Sequence, residues 1–214
     1  MVRTFNRCVL VVVLLLASVS PSKVHATAQD KAIAESLYRE GLAQMKEGNY
    51  QSACPKLAES QRLEPAVGTL LYLGECYEQL GLTASAWATF TAAIDAAKRV
   101  NNRGREQIAI ERAATLADKV SRLTLVVPDE AQVAGLEVKQ DGRVVAEAAW
   151  GVPLPIDPGL HVIEATAPGR QPWTKQVSID ITARAAPTES VPVLEDIAPV
   201  GSTWERGWPR GYRH

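Results

Sequence analysis

Histidine, cysteine and closely paired carboxylates carry most proton-transfer, nucleophilic and metal chemistry. This chain of 214 residues has three His and three Cys. His25 lies in a leader-like stretch and His214 in a basic tail. His161 stands in the alternating run Leu160-His-Val-Ile-Glu-Ala165, with Glu164 three positions on. Residues an odd number apart point to opposite faces of a strand, so His161 and Glu164 make a poor ligand or acid–base pair. His161 therefore reads as a surface strand residue. Three cysteines cannot complete a four-cysteine zinc site, and no glycine-rich phosphate loop, nucleophile elbow or metal-binding helix motif occurs. The expectation is a protein without catalytic residues, cofactor or metal. What remains for chemistry is the thiol pair Cys54 and Cys76, because Cys8 sits in the leader.

The elements that position these residues begin with an address. Arg3 and Arg7 precede an apolar run from Cys8 to Ala17. It is too short for a membrane span of about 20 residues and has the length of a signal-peptide centre. Ala26-Thr27-Ala28 is a small-x-small cleavage site, with Val24-His25-Ala26 as a second, so residues 1–28 are expected to be removed. The alternative is an uncleaved N-terminal anchor. Nothing downstream resembles a membrane span. The expected location is exported, periplasmic or extracellular, in the cell envelope. Apolar residues make up 46% and charged residues 22%, ordinary for a folded protein. A net charge of -1 argues against a strongly basic nucleic-acid binder.

Residues 29–122 are rich in Ala, Leu, Glu, Gln and Lys, all good helix formers, with Pro55 and Pro65 as the only prolines. Apolar and small residues recur at helical spacing: Ile33, Leu37, Gly41 and Met45, then Ala53, Leu57 and Ser60. Overlaid on itself, the segment matches Gly41 to Gly74, Gly48 to Gly81, Ala53 to Ala86 and Leu57 to Phe90, all at an offset of 33. Such a period predicts paired helices stacked as a solenoid. A fifth helix over about 105–120 would turn Ile108, Leu116 and Val120 inward and Glu111, Arg112, Asp118 and Lys119 outward. It reads as a cap on the open end, or alternatively as a solvated linker helix.

These residues resemble the tetratricopeptide repeat. The first copy carries Leu37, Gly41, Gly48, Tyr50, Ala53, Leu57 and Pro65; the second carries Leu73, Gly74, Tyr77, Gly81, Ala86 and Phe90. Glu40 stands where leucine is usual, and Lys98 where the second copy would have its late proline. The resemblance implies a concave groove that binds an extended peptide or a helix, here lined by Glu35, Tyr38, Leu42, Leu71, Glu75 and Glu78. The lysine and asparagine cluster of the family's chaperone-tail binders is absent. An acidic groove with apolar patches implies a basic or amphipathic partner. Cys54 falls on the second helix of one repeat and Cys76 on the first helix of the next. Those helices are neighbours in a solenoid, so a disulfide is within reach, and an oxidising compartment favours it. Two buried free thiols are the alternative.

After Ser121 the period changes to alternation. Leu123–Val127, Leu136–Gln140, Arg143–Ala146, Val152–Ile156, Leu160–Ala165 and Trp173–Ile181 read as six short strands, with Asp141-Gly142 as a hairpin turn and Asp157-Pro158-Gly159 as another. The expected class is α+β: a helical solenoid of about five helices, then a small antiparallel β-sandwich over residues 123–182. The stretch from Pro155 to Trp173 resembles PEGA domains, β-sandwich modules of bacterial envelope proteins, although Pro158-Gly159-Leu160-His161 replaces the naming signature. Beyond it, over residues 183–214, Ser190–Leu194 could add an edge strand. Trp204, Arg206, Trp208, Arg210 and Arg213 make a basic aromatic tail, read as a disordered terminus or, alternatively, a docking peptide. Together these features imply a non-enzymatic scaffold that binds a protein or peptide in the cell envelope. The alternative is a carbohydrate- or cell-wall-binding module acting through the β-domain, with a wall glycan as partner.

Overall fold

The structure, a computed structural model, describes residues 27–180 and 187–197. The apolar leader run and the basic aromatic tail lie outside the described residues. The class is α+β, with helices α1 (Ala28–Lys46), α2 (Tyr50–Leu63), α3 (Val67–Gln79), α4 (Thr83–Arg99) and α5 (Arg103–Ala117) preceding a β-domain. Among the described residues no helix is long and apolar enough to cross a membrane.

The 33-residue offset has a steric cause. A Cβ at Gly41 would lie 2.9 Å from Leu57 Cγ, and one at Gly74 would lie 2.7 Å from the Phe90 ring. In each hairpin the first helix therefore meets the second through a missing side chain, and Leu57 or Phe90 fills the space. Ala53 and Ala86 are fully buried at the same crossings. Gly48 and Gly81 take positive φ at the turns, a conformation open to glycine without strain. Cys54 and Cys76 are joined by a disulfide, their Cα atoms 5.7 Å apart, which ties α2 to α3 across the two hairpins.

Two helical expectations change. In α1 the buried positions are Ala34 and Gly41, while Ile33 faces solvent, because this first helix is covered mainly by α2. The fifth helix starts earlier than the apolar pattern suggests, since the Asn102 side chain accepts the Arg105 N–H as an N-cap. Its buried stripe is Ala109, Ala113 and Leu116. Ile108, expected inside, is 51% exposed. Small alanines let α5 lie close on α4, which leaves Ile108 facing solvent.

The β-domain contains β1 (Arg122–Val126), β2 (Glu137–Gln140), β3 (Arg143–Val144), β4 (Pro153–Pro155), β5 (Gly159–Thr166), β6 (Trp173–Ile179) and β7 (Thr188–Ser190). One sheet has the order β4-β1-β7 and the other β3-β2-β5-β6. Both face one core that includes Leu123, Leu125, Val138, Ile163, Ala165 and Val177. Fully burying an aliphatic side chain of this size contributes about 1.5–3 kcal/mol. The sheets are not wholly antiparallel as expected: β7 runs parallel to β1, Leu125 opposite Glu189. The edge strand also lies earlier than Ser190–Leu194. Pro192 has no N–H to give to a ladder, so Val191 and Leu194 are buried as a plug after β7. The third run shortens to two residues and passes into a 3-10 turn at Glu147–Ala149.

Candidate functional site

Two places gather functional side chains. The first is the face formed by α1, α3 and α5. A cavity of about 230 Å³ is lined there by Glu35, Tyr38, Thr69 and Arg105, among others. Tyr38 meets Tyr72 edge-to-face, ring centroids 6.0 Å apart. Burial, followed by the nearby Tyr72, raises the Tyr38 phenol above its ordinary value against the opposing Arg105 charge. Gly68 has no Cβ, so the Arg105 guanidinium rests 3.6 Å from where one would stand. Tyr72 is 40% exposed and, with Ile108, gives the face its apolar surface.

The predicted groove residues separate into two groups. Glu35 and Tyr38 line the cavity, and Glu75 and Glu78 follow along α3. Leu42 and Leu71 are half-buried against the helical core clusters, a packing that Tyr38 shares. Nor is the face acidic. Glu35 pairs with Arg39 at 2.8 Å and Glu78 with Arg112 at 2.8 Å, and Arg105 adds a cation to the cavity. Helical neighbours and the facing α5 thus neutralise most of the carboxylates that the sequence places here. Tyr72, Arg105 and Ile108 were missed. Their signal was helical spacing: Tyr72 is four residues beyond Gly68, and Ile108 is three beyond Arg105.

The second place is the joint between helices and sheets. Helix α4 begins at Thr83, and the side chain of Leu82 in the N-cap position cannot cap it. A carboxylate 72 residues downstream takes that role: Asp157 Oδ1 accepts the Ser85 N–H at 2.9 Å and Oδ2 accepts the Ser85 hydroxyl. This places negative charge where the helix dipole favours it. The same β4–β5 loop is held by His161, whose Nε2 lies 2.8 Å from the Asp157 backbone oxygen. Its Nδ1 lies 2.7 Å from Asp141 Oδ2, and Asp141 Oδ1 accepts the Val162 N–H at 2.9 Å. Burial pushes the Asp141 carboxyl up, but hydrogen bonds from His161 and Val162, then the His161 charge, outweigh it and hold it below its ordinary value. A cavity of about 400 Å³ opens beside these groups, with Arg143 and Gln140 on its wall.

His161 is therefore not a surface residue; its side chain is 13% exposed. The alternation carried the signal. His161 shares parity with Ile163 and Ala165, both fully buried, so it belongs to the core-facing side at the strand's start. Glu164 does lie on the other face.

Trp150 and Trp173 of the β-domain pack on its core, and the Trp150 indole N–H donates to the Val145 carbonyl. No family model matches the chain, and no curated protein is significantly similar to it.

Proposed function

We propose that this chain is a non-enzymatic binding protein of the bacterial cell envelope, which holds a peptide or protein segment on the face of α1, α3 and α5. The observation that carries this reading is an apolar, partly charged face with unused contact capacity. Tyr72 and Ile108 are exposed on it, and Arg105 rests over a glycine beside Tyr38. Rigid tyrosines bury large area on binding with little entropy cost, and an exposed apolar patch edged by charge marks a contact surface. The resemblance to tetratricopeptide repeats and PEGA domains supports the same reading, as does a disulfide suited to an exported protein. Because most carboxylates on the face are paired, the partner is an amphipathic segment with apolar anchors rather than a strongly basic one.

The test is selection from a displayed peptide library on the full chain. Tyr72→Ala and Arg105→Ala together should reduce capture of the selected peptides at least about tenfold, the scale of losing one interface anchor, with the helical signal intact. Leu71 and Tyr38 are left alone, since both pack against the helical core clusters. Capture that is unchanged in the double variant sinks the reading.

A further inference from the structure

The helical clusters and the β-core share no residue. Among the described residues, the polar contact that joins the two units is the Asp157 loop seated on α4. Small polar interfaces between domains leave their relative motion open, so what holds this loop governs the joint.

The hydrogen-bond chemistry of His161 is over-determined. A backbone carbonyl only accepts, so Nε2 must donate to Asp157 O. An ionised carboxylate also only accepts, so Nδ1 must donate to Asp141. Only the doubly protonated ring satisfies both. A neutral ring has one N–H, and the carboxylate is the stronger acceptor. The remaining proton then stays on Nδ1, and the Nε2 lone pair is left facing the Asp157 carbonyl oxygen.

We propose that the joint is a protonation-controlled latch, in which imidazolium His161 holds the Asp157 loop so that its carboxylate caps α4, and loss of the second ring proton frees the loop from the helix. The other titratable or charged groups at the joint are Asp141 from the β2–β3 turn, Asp157 from the β4–β5 loop, Arg143 from β3 and Tyr77 from α3. Burial, and then the Asp157 charge, raise the Tyr77 phenol above its ordinary value, which keeps it a neutral neighbour. The latch has a direction: it is closed while the ring is charged and opens as pH rises. On the acid side the hold on Nδ1–H is lost as the pH falls through the depressed Asp141 value, because that carboxylate must be ionised to accept it.

The experiment follows two signals in the full oxidised chain between about pH 5 and 8. One is the protonation state of the His161 ring by nitrogen chemical shift. The other is the exchange protection of the Ser85 amide, corrected for intrinsic pH dependence. Protection should fall roughly tenfold, the factor one charge-assisted hydrogen bond is worth, in step with ring deprotonation. In His161→Gln it should be low and independent of pH. In Asp157→Asn, whose side chain is a weaker cap, it should be reduced even at the acid end. Ser85 protection that stays constant while the ring titrates overturns the proposal, and this wild-type measurement decides even if a variant fails to fold. A pH dependence that persists unchanged in His161→Gln overturns it as well.

Discussion

Two glycines of the helical unit are defined by the atoms that would collide with a methyl group. At Gly74 the Phe90 ring stands 2.7 Å from a Cβ, and at Gly41 the Leu57 side chain stands 2.9 Å away. Phe90 is fully buried and its ring has no room to withdraw. Gly74→Ala is expected to destabilise by about 1–3 kcal/mol through overpacking, read as a lower denaturant midpoint for the helical signal. Gly41→Ala should destabilise on the same scale, because the Leu57 Cγ that it would meet is also fully buried. An unchanged midpoint in either variant would argue against overpacking at that crossing. Asp141 gives a second expectation at this scale. Its folded value is depressed by His161 and the Val162 N–H against burial. Its contribution to stability is therefore complete above the ordinary carboxylate value and lost as pH falls through the depressed one. Asp141→Asn should flatten the acid limb of the stability profile of the β-domain, followed by Trp150 and Trp173 fluorescence. At the residue scale the sequence was readable where a side chain is missing, because glycine spacing reports sterics directly. It is less readable at His161, where strand parity turns the ring inward although histidine is a polar side chain often found at the surface.

At the scale of elements, helices were read more completely than strands. Helix existence follows from composition and periodicity, which are local. The error at α5 came from its packing partner: alanines rather than Ile108 face α4, and an apolar count favours the larger residue. The parallel pairing of β7 with β1 depends on a distant partner, and no local pattern specifies it. The Cys54–Cys76 bond joins α2 to α3 and closes a loop of 22 residues. On the entropy account such a loop contributes about 3 kcal/mol. Replacing both cysteines by alanine should lower helical stability by roughly that amount, measured by circular dichroism in denaturant, and leave the β-domain unaffected. A shift of equal size in the tryptophan signal of the β-domain would show that the cross-link acts beyond the helices.

For the whole molecule, the separation of cores has a thermodynamic meaning. Units whose apolar contacts do not mix are expected to unfold in separate steps. Calorimetry of the oxidised chain should show two transitions, and a thiol reductant should move only the helical one. A single transition that shifts as one under reductant would mean that the Asp157 contact couples the units more tightly than its size suggests. The two-unit division was legible at Ser121, where the period changes. The joint was not, because Ser85 and Asp157 are 72 positions apart and neither belongs to a motif.

The last pairing also has a consequence in time. A chain emerging from a ribosome completes each helical hairpin as soon as that hairpin is out, since α1 meets α2 and α3 meets α4. The strand β1 has a different history. One of its edges is covered by β4, which follows within some thirty residues, but the other waits for Thr188 to Ser190. Until then Thr124 to Val126 present open backbone to the surroundings, the condition under which strands recruit neighbours. The β-domain is thus finished from its far end, and a chain cut short of Ser190 should aggregate through β1 even though every residue of the helical unit is present and folded.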